Sequence, residues 1–194
     1  MLELLFVGLS AALINNFVLT YFLGICPFLG VSKRLDAAAG MGTAVTFVMT
    51  ISGGLTYLLQ RYALIPLKLE FLQYVAFIFV IAGTVQFVEL YVRRFFEPLY
   101  QAFGVYLPMI TTNCVVLGAC LLIGSRSYDT LAQALTFSMG GGLGFTLAIV
   151  IMAGLREELQ FADVPRPFQG TPVALLTAAI LALAFAGFAG MGAH

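Results

Sequence analysis

Charged residues punctuate this chain so as to leave six apolar stretches, each close to the ~20 residues a helix needs to cross the hydrocarbon of a bilayer. The first runs between Glu3 and Lys33, the second between Asp36 and Arg61, and the core of the third between Glu70 and Glu89. The fourth covers Leu99 to Ile123, the fifth lies between Asp129 and Arg156, and the sixth spans Pro172 to Gly190 in a tail that carries no charge after Arg166. A transmembrane barrel requires strands of about ten residues with alternating hydrophobicity, and these runs are continuous instead. The pattern predicts an all-α integral membrane protein of six transmembrane helices, forming a single membrane domain over residues 1–194.

Six spans divide into three plus three, and an odd number of spans per half inverts the second half relative to the first. The predicted pseudo-repeats are residues 1–97 and 98–194. A shift of 100 residues superposes Gly40 on Gly140, Gly42 on Gly142, Thr46 on Thr146 and Gly54 on Gly154, all within the second span of each half. The first span of each half is irregular. Span 1 contains Asn15, Asn16, Gly24, Cys26, Pro27 and Gly30, and span 4 contains Pro108, Thr111, Thr112, Asn113, Cys114 and Gly118. Proline removes a backbone donor and glycine loosens a helix, and lipid offers no replacement partner. Helices 1 and 4 are therefore expected to be broken and to face protein. Broken helices at matching positions of two halves point to a site near the midplane, and a kinked, tightly packed interface without ligand explains the same residues.

Composition narrows the partners. Of the 194 residues 61% are hydrophobic and 9% charged, with mean hydropathy +1.03, against roughly a quarter charged in soluble chains, so the lipid bilayer is the expected solvent. The first charge is Glu3 and no basic n-region precedes the apolar run, so the N-terminal stretch reads as a retained span and not as a cleaved signal. The net charge is zero and no polybasic block occurs, which argues against nucleic acid as a partner. Lys33, Arg34, Arg93, Arg94, Arg156 and Arg166 fall in the loops after spans 1, 3 and 5, and Arg61, Lys68 and Arg126 on the opposite side. This asymmetry places both termini on the external face. The longest loop, Arg156 to Thr171, is too short for a soluble nucleotide or redox domain.

Few side chains can carry chemistry. The run Gly140-Gly141-Gly142-Leu143-Gly144 lacks the strand that a phosphate loop requires and reads as close helix packing through small residues. Glu89 is spaced four residues from Arg93, as in a local helix pair, although an intramembrane acid is also a candidate for an ion path. Asp163 and Arg166, flanked by Pro165 and Pro167, suit either a docking loop or a rigid solvated one. The three cysteines, Cys26, Cys114 and Cys120, all sit in apolar surroundings, either as small buried hydrophobes or as ligands. Thiolates suit iron and zinc, and iron–sulfur clusters usually take four. Two cysteines at two breaks make half a site, so a cofactor here would itself predict a partner subunit.

The strings NNFVLTYFLGICPFLGVSK (15–33), LPMITTNCVVLG (107–118), AGLREEL (153–159) and VPRPFQG (164–170) resemble the A subunit of the Rnf complex, the ion-translocating ferredoxin:NAD oxidoreductase of bacterial and some archaeal membranes. The related E subunit of the sodium-translocating NADH:quinone reductase is similar in layout. The resemblance runs nearly end to end. It implies a subunit of the bacterial inner membrane that carries electrons through a [2Fe–2S] cluster, coupled to Na+ or H+ translocation. A homologous subunit of inverted topology would share the cluster, and other Rnf subunits would carry flavins and further iron–sulfur clusters. Carried over position by position, the ligands from this chain are Cys26 in GICPFLG and Cys114 in TTNC. A rival register, shifted by 94 residues, pairs Gly24, Cys26 and Gly30 with Gly118, Cys120 and Gly124 and would make Cys120 the second ligand. The family motif favours Cys114, and six residues on a regular helix turn Cys120 about 240° away from it. The alternative function is a secondary-transporter-like ion-conducting subunit without a redox cofactor, for which Asn15, Asn16, Thr111, Thr112 and Asn113 are the available polar groups. A purely structural role, in which the cysteines are incidental, is the third reading.

Overall fold

The computed structural model describes residues 2–14, 16–67, 70–95, 113–126, 128, 130–163 and 165–191, and every regular element within them is helical. Helix α1 (Leu2–Leu9) continues as a π-helical turn to Ile14, and α2 covers Ile25–Val31. Helix α3 is Leu35–Leu59, α4 Gln73–Phe95, α5 Cys114–Arg126, α6 Leu131–Leu159 and α7 Thr171–Met191. Two helical runs, Leu35–Tyr62 and Leu131–Leu159, are long and apolar enough to cross a membrane by length and composition, and shorter apolar stretches lie in α4, α5 and α7. The first predicted span is split between α1 and α2. Of the fourth, only the part from Asn113 onward is described. Pro108, Thr111, Thr112, Asn15 and His194, and the side chains of Glu89, Arg93 and Arg166, lie outside the described residues.

Helices α3 and α6 run antiparallel and form the centre. At one end the Leu35 backbone N–H donates to Glu157 Oε1 (3.1 Å), and at the other a Cβ on Gly54 would stand 3.2 Å from Leu135. Midway, a Cβ on Gly42 would lie 2.6 Å from Thr146 Cγ2, and one on Gly142 would lie 2.7 Å from Thr46 Cα. The two threonine hydroxyls are 3.1 Å apart, and each also reaches the carbonyl four residues back, Gly42 O at 2.8 Å and Gly142 O at 2.9 Å. With one proton apiece, one hydroxyl donates across the seam and the other to its own helix. Burial follows the same offset: Val45, Val48 and Met49 are buried like Phe145, Ala148 and Ile149, while Thr43, Phe47 and Leu55 are exposed like Leu143, Leu147 and Leu155.

The glycine run of α6 is a packing device on three sides. Gly140 and Gly144 face α1, where added Cβ atoms would lie 2.9 Å from Gly8 Cα and 2.9 Å from Ala12 Cα. Gly142 faces α3, and Gly141 faces the Phe17 ring and Met49. Backbones approach this closely only where side chains are absent, which is how helices gain dispersion contact in lipid without a hydrophobic drive between them. The outer surface is strongly apolar: Phe71 is 88% exposed, Phe79 80% and Leu183 75%, as befits side chains whose solvent is lipid.

Gly142→Ala is expected to lower the stability of the purified protein by about 1–3 kcal/mol, the usual cost of overpacking, because the obstacle is Thr46 backbone. Gly154→Ala, on the same helix with nothing within 4 Å of the added Cβ, is expected to be neutral or stabilising by up to about 1 kcal/mol through helix propensity. Thermal unfolding of the two variants side by side checks the contrast. A third substitution probes the buried Ser52, whose hydroxyl has no hydrogen-bond partner among the described residues. Removing an unsatisfied buried donor relieves its desolvation cost, so Ser52→Ala is expected to hold or raise the unfolding midpoint; a fall would show that a partner satisfies it.

Candidate functional site

Between the π-helical turn and α2 the described residues 16–24 leave helical geometry, and one side chain answers several of the backbone groups there. The Asn16 carboxamide, fully buried, accepts from the backbone N–H of Val18 (3.0 Å) and of Leu19 (3.4 Å). It donates to Ala12 O (3.2 Å) and, across the bundle, to Gly144 O (2.8 Å). All four hydrogen-bonding positions of the amide are thereby used. The remaining turn closes through Thr20 N to Asn16 O (2.9 Å) and Leu23 N to Phe17 O (3.0 Å).

The break ends in two left-handed residues, Phe22 (φ 55°) and Gly24 (φ 79°). Gly24 is the N-cap of α2, and it suits the position twice over. Its φ favours glycine, and a Cβ there would run into Val115 Cγ2 and stand 3.2 Å from both Asn113 Oδ1 and Phe145 Cε2. The start of α2 is therefore pressed against the start of α5. Helix α5 begins like the first break: Asn113, 3% exposed, accepts from the Val115 backbone N–H at 3.1 Å, as Asn16 does from Val18. Its Nδ2 is buried without a hydrogen-bond partner among the described residues.

The cysteines divide accordingly. Cys114 opens α5, is partly exposed, and its Sγ accepts the Gly24 backbone N–H at 3.4 Å. Cys26 stands two residues beyond Gly24 in the first turn of α2, exposed at the surface of the chain. The structure thus brings the end of the first break against the start of α5, at the cysteine-bearing ends of α2 and α5. One turn after Cys114 the same face of α5 carries Gly118, over which Leu23 packs, a Cβ there lying 2.6 Å from Leu23 Cδ1. Cys120 points the other way, wholly buried with its thiol beside the Thr56 side chain of α3. No group of three His, Cys, Asp or Glu side chains with metal-binding spacing occurs among the described residues.

Two contributors are invisible in the sequence. Arg156 Nη1 donates to Leu29 O (2.7 Å) and Ser32 Oγ (2.9 Å), so a cation from the end of α6 holds the C-terminus of α2, the end of a helix that favours positive charge. The one signal for it in sequence is its position in the AGLREEL string. Asn16 reads in sequence as a helix irregularity, but nothing there shows that its partner is the carbonyl of Gly144.

Comparison with known proteins agrees with this architecture over almost the whole chain. Residues 4–192 match the family model described as Rnf-Nqr subunit, membrane protein. The A subunit of the ion-translocating oxidoreductase complex of Syntrophotalea carbinolica is 53% identical over 191 residues, covering 98% of both chains. The A subunit of the Na(+)-translocating ferredoxin:NAD(+) oxidoreductase complex of Acetobacterium woodii is 52% identical over 190 residues, again 98% of both. The corresponding protein of Pseudomonas aeruginosa is 48% identical over 191 residues, with the same 98% coverage. With its broken first helix, glycine-seamed centre and lipid-facing apolar surface, the chain belongs to the Rnf-Nqr family of membrane subunits.

Proposed function

We propose that this chain is the A-type subunit of an ion-translocating ferredoxin:NAD oxidoreductase complex, and that it forms half of an electron conduit within the membrane. The observation that carries the reading is the contact between the end of the first break and the start of α5, where the Gly24 N–H is directed at Cys114 Sγ and Cys26 stands two residues beyond. In this reading Cys26 and Cys114 hold two of the four ligand positions of a [2Fe–2S] cluster. A homologous subunit of inverted topology holds the others, and further subunits of the complex bring flavins and iron–sulfur clusters.

The residues suit the group. Both cysteines reach the surface of the chain, where a partner could complete the set, whereas Cys120 is sealed inside it. Amide donors at sulfur stabilise a thiolate-ligated cluster and tune its potential, and the Gly24 N–H is such a donor. The N-terminal N–H groups of α5 add partial positive charge that complements an anionic cluster. When bound, the cluster supplies one-electron transfer; the protein's part is to fix the sulfurs, exclude water from their surroundings and keep the break from slipping. Asn16 and Arg156 do the fixing, one from each side of α2.

The same reading takes the chain as six spans in two inverted three-helix repeats, in the inner membrane with both termini external. The reciprocal Gly42–Thr146 and Gly142–Thr46 contacts and the burial match at an offset of 100 residues support the repeat. Electron flow would be coupled to Na+ or H+ movement; Na+ appears in the name of the Acetobacterium woodii relative.

In the purified complex, Cys26→Ser and Cys114→Ser are expected to abolish the [2Fe–2S] signal in electron paramagnetic resonance and to lower iron and acid-labile sulfide by one cluster's worth, while Cys120→Ser keeps both. Loss in the Cys120 variant with retention in the Cys114 variant would reassign the ligand. Reporter fusions at residue 194 are expected to be active on the external side only, and a cytoplasm-active fusion would reverse the orientation.

A further inference from the structure

Where α2 and α6 end and α7 begins, a cleft of about 430 Å3 opens, lined by Lys33, Arg156, Leu159, Gln160, Gln169 and Val173 among others. Among the described residues, two of those lining it are cations and none is a carboxylate. Three acids adjoin the lining residues in sequence, Glu157, Glu158 and Asp163; none of them lines the cleft, and Glu157 accepts the Leu35 backbone N–H instead. Arg156 is held by its Nη1 bonds to Leu29 O and Ser32 Oγ, so its charge is fixed at the cleft and does not sweep through solvent. Lys33 makes no ion pair among the described residues. Gly170, also in the lining, precedes the first turn of α7, whose N–H groups add donors and partial positive charge.

The cleft also has an apolar exit. Val173 lines it, and from there Leu176, Ile180 and Leu183 follow on the same face of α7 at helical spacing, 52%, 67% and 75% exposed. A compact anion with no tail would need only the polar end. A cationic cup opening onto a lipid-facing apolar track matches a molecule with an anionic head and an acyl chain, the general pattern by which basic pockets between membrane helices take phospholipid head groups.

We infer that this cleft is a binding site for an anionic phospholipid, its phosphodiester between Lys33 and Arg156 and an acyl chain along Val173, Leu176, Ile180 and Leu183. The inference rests on the membrane placement of the family and is independent of the cluster assignment. A lipid seated here ties α2, α6 and α7 together behind the break, on the side opposite the cysteines along α2.

The purified complex, reconstituted in nanodiscs of phosphatidylcholine with or without phosphatidylglycerol, provides the test. Native mass spectrometry reads phosphatidylglycerol retained after detergent extraction, and thermal unfolding reads its effect on stability. The wild-type complex is expected to retain the anionic lipid and to unfold at a higher temperature with it. Lys33→Gln is expected to weaken retention about fivefold, the factor corresponding to ~1 kcal/mol per basic residue near an anionic head group, and Gln160→Glu, which puts a carboxylate into the cleft, is expected to weaken it at least as much. Both positions are exposed, and each variant's folding is checked by its unchanged unfolding midpoint in phosphatidylcholine alone. Equal retention by wild type and both variants would overturn the site. Equal stabilisation of the wild type by inorganic phosphate would overturn the lipid assignment, as would a cross-link from a cysteine introduced at Leu176 to another protein of the intact complex.

Discussion

A glycine on one helix faces a threonine on the other, twice over, and this pair of contacts sets the distance between α3 and α6. The separation is short enough for the two hydroxyls to meet at 3.1 Å, and with the axes so close α6 becomes a wall on which other segments can lean. Helix α1 takes the Gly140 and Gly144 side of it, Phe17 covers Gly141, and Phe145 backs the junction of Gly24 with Asn113. Larger residues at these positions would move α6 outward, and the half-helices resting on it would lose their mutual register. The geometry of the cysteine-bearing ends is thus inherited from a seam that contains no cysteine.

The second constraint is the solvent. Water would hydrate an interrupted backbone, but hydrocarbon does not, so a break inside a span persists only where protein groups replace the missing helical bonds. Each buried polar group left unanswered costs about 1–3 kcal/mol, and Asn16 alone answers three around the first break while bonding a fourth on α6. Asn113 has the same acceptor contact at the start of α5 but leaves its amide nitrogen unpartnered among the described residues. The approach to α2 and the start of α5 thus share the same asparagine-to-backbone contact two residues on.

The helical membrane character was legible because charges are so costly in lipid that long uncharged apolar runs stand out. The seam was legible as well: the shift of 100 residues that pairs Gly42 with Gly142 and Thr46 with Thr146 describes residues that touch one another in space. The same shift fails elsewhere for a physical reason. Gly54 is packed against Leu135 whereas Gly154 meets nothing within 4 Å, and Asn16 and Asn113, alike in role, are 97 residues apart. A continuous helix preserves register, but a break tolerates insertion, so periodic comparison slips at the segments that bear the site. The non-helical course of residues 16–24 was hidden because Phe17, Val18, Leu19 and Phe22 are as apolar as any helical run. Hydropathy reports burial in lipid and is blind to the backbone geometry beneath it. The bracing of α2 by Arg156 was hidden because it links residues 127 apart.

The bond from Asn16 to Gly144 has a consequence for how the chain is made. Its partners are separated by 128 residues, so at roughly 5–20 residues per second of synthesis the first break emerges on the order of ten seconds before the carbonyl that completes it exists. During that interval the N-terminal segment carries a polar carboxamide into the bilayer with part of its bonding unmet, and α2, seven residues long, is too short to span on its own. The N-terminal hairpin cannot settle in the order in which it is translated. The bond that closes it across the bundle can form only once α6 has been made.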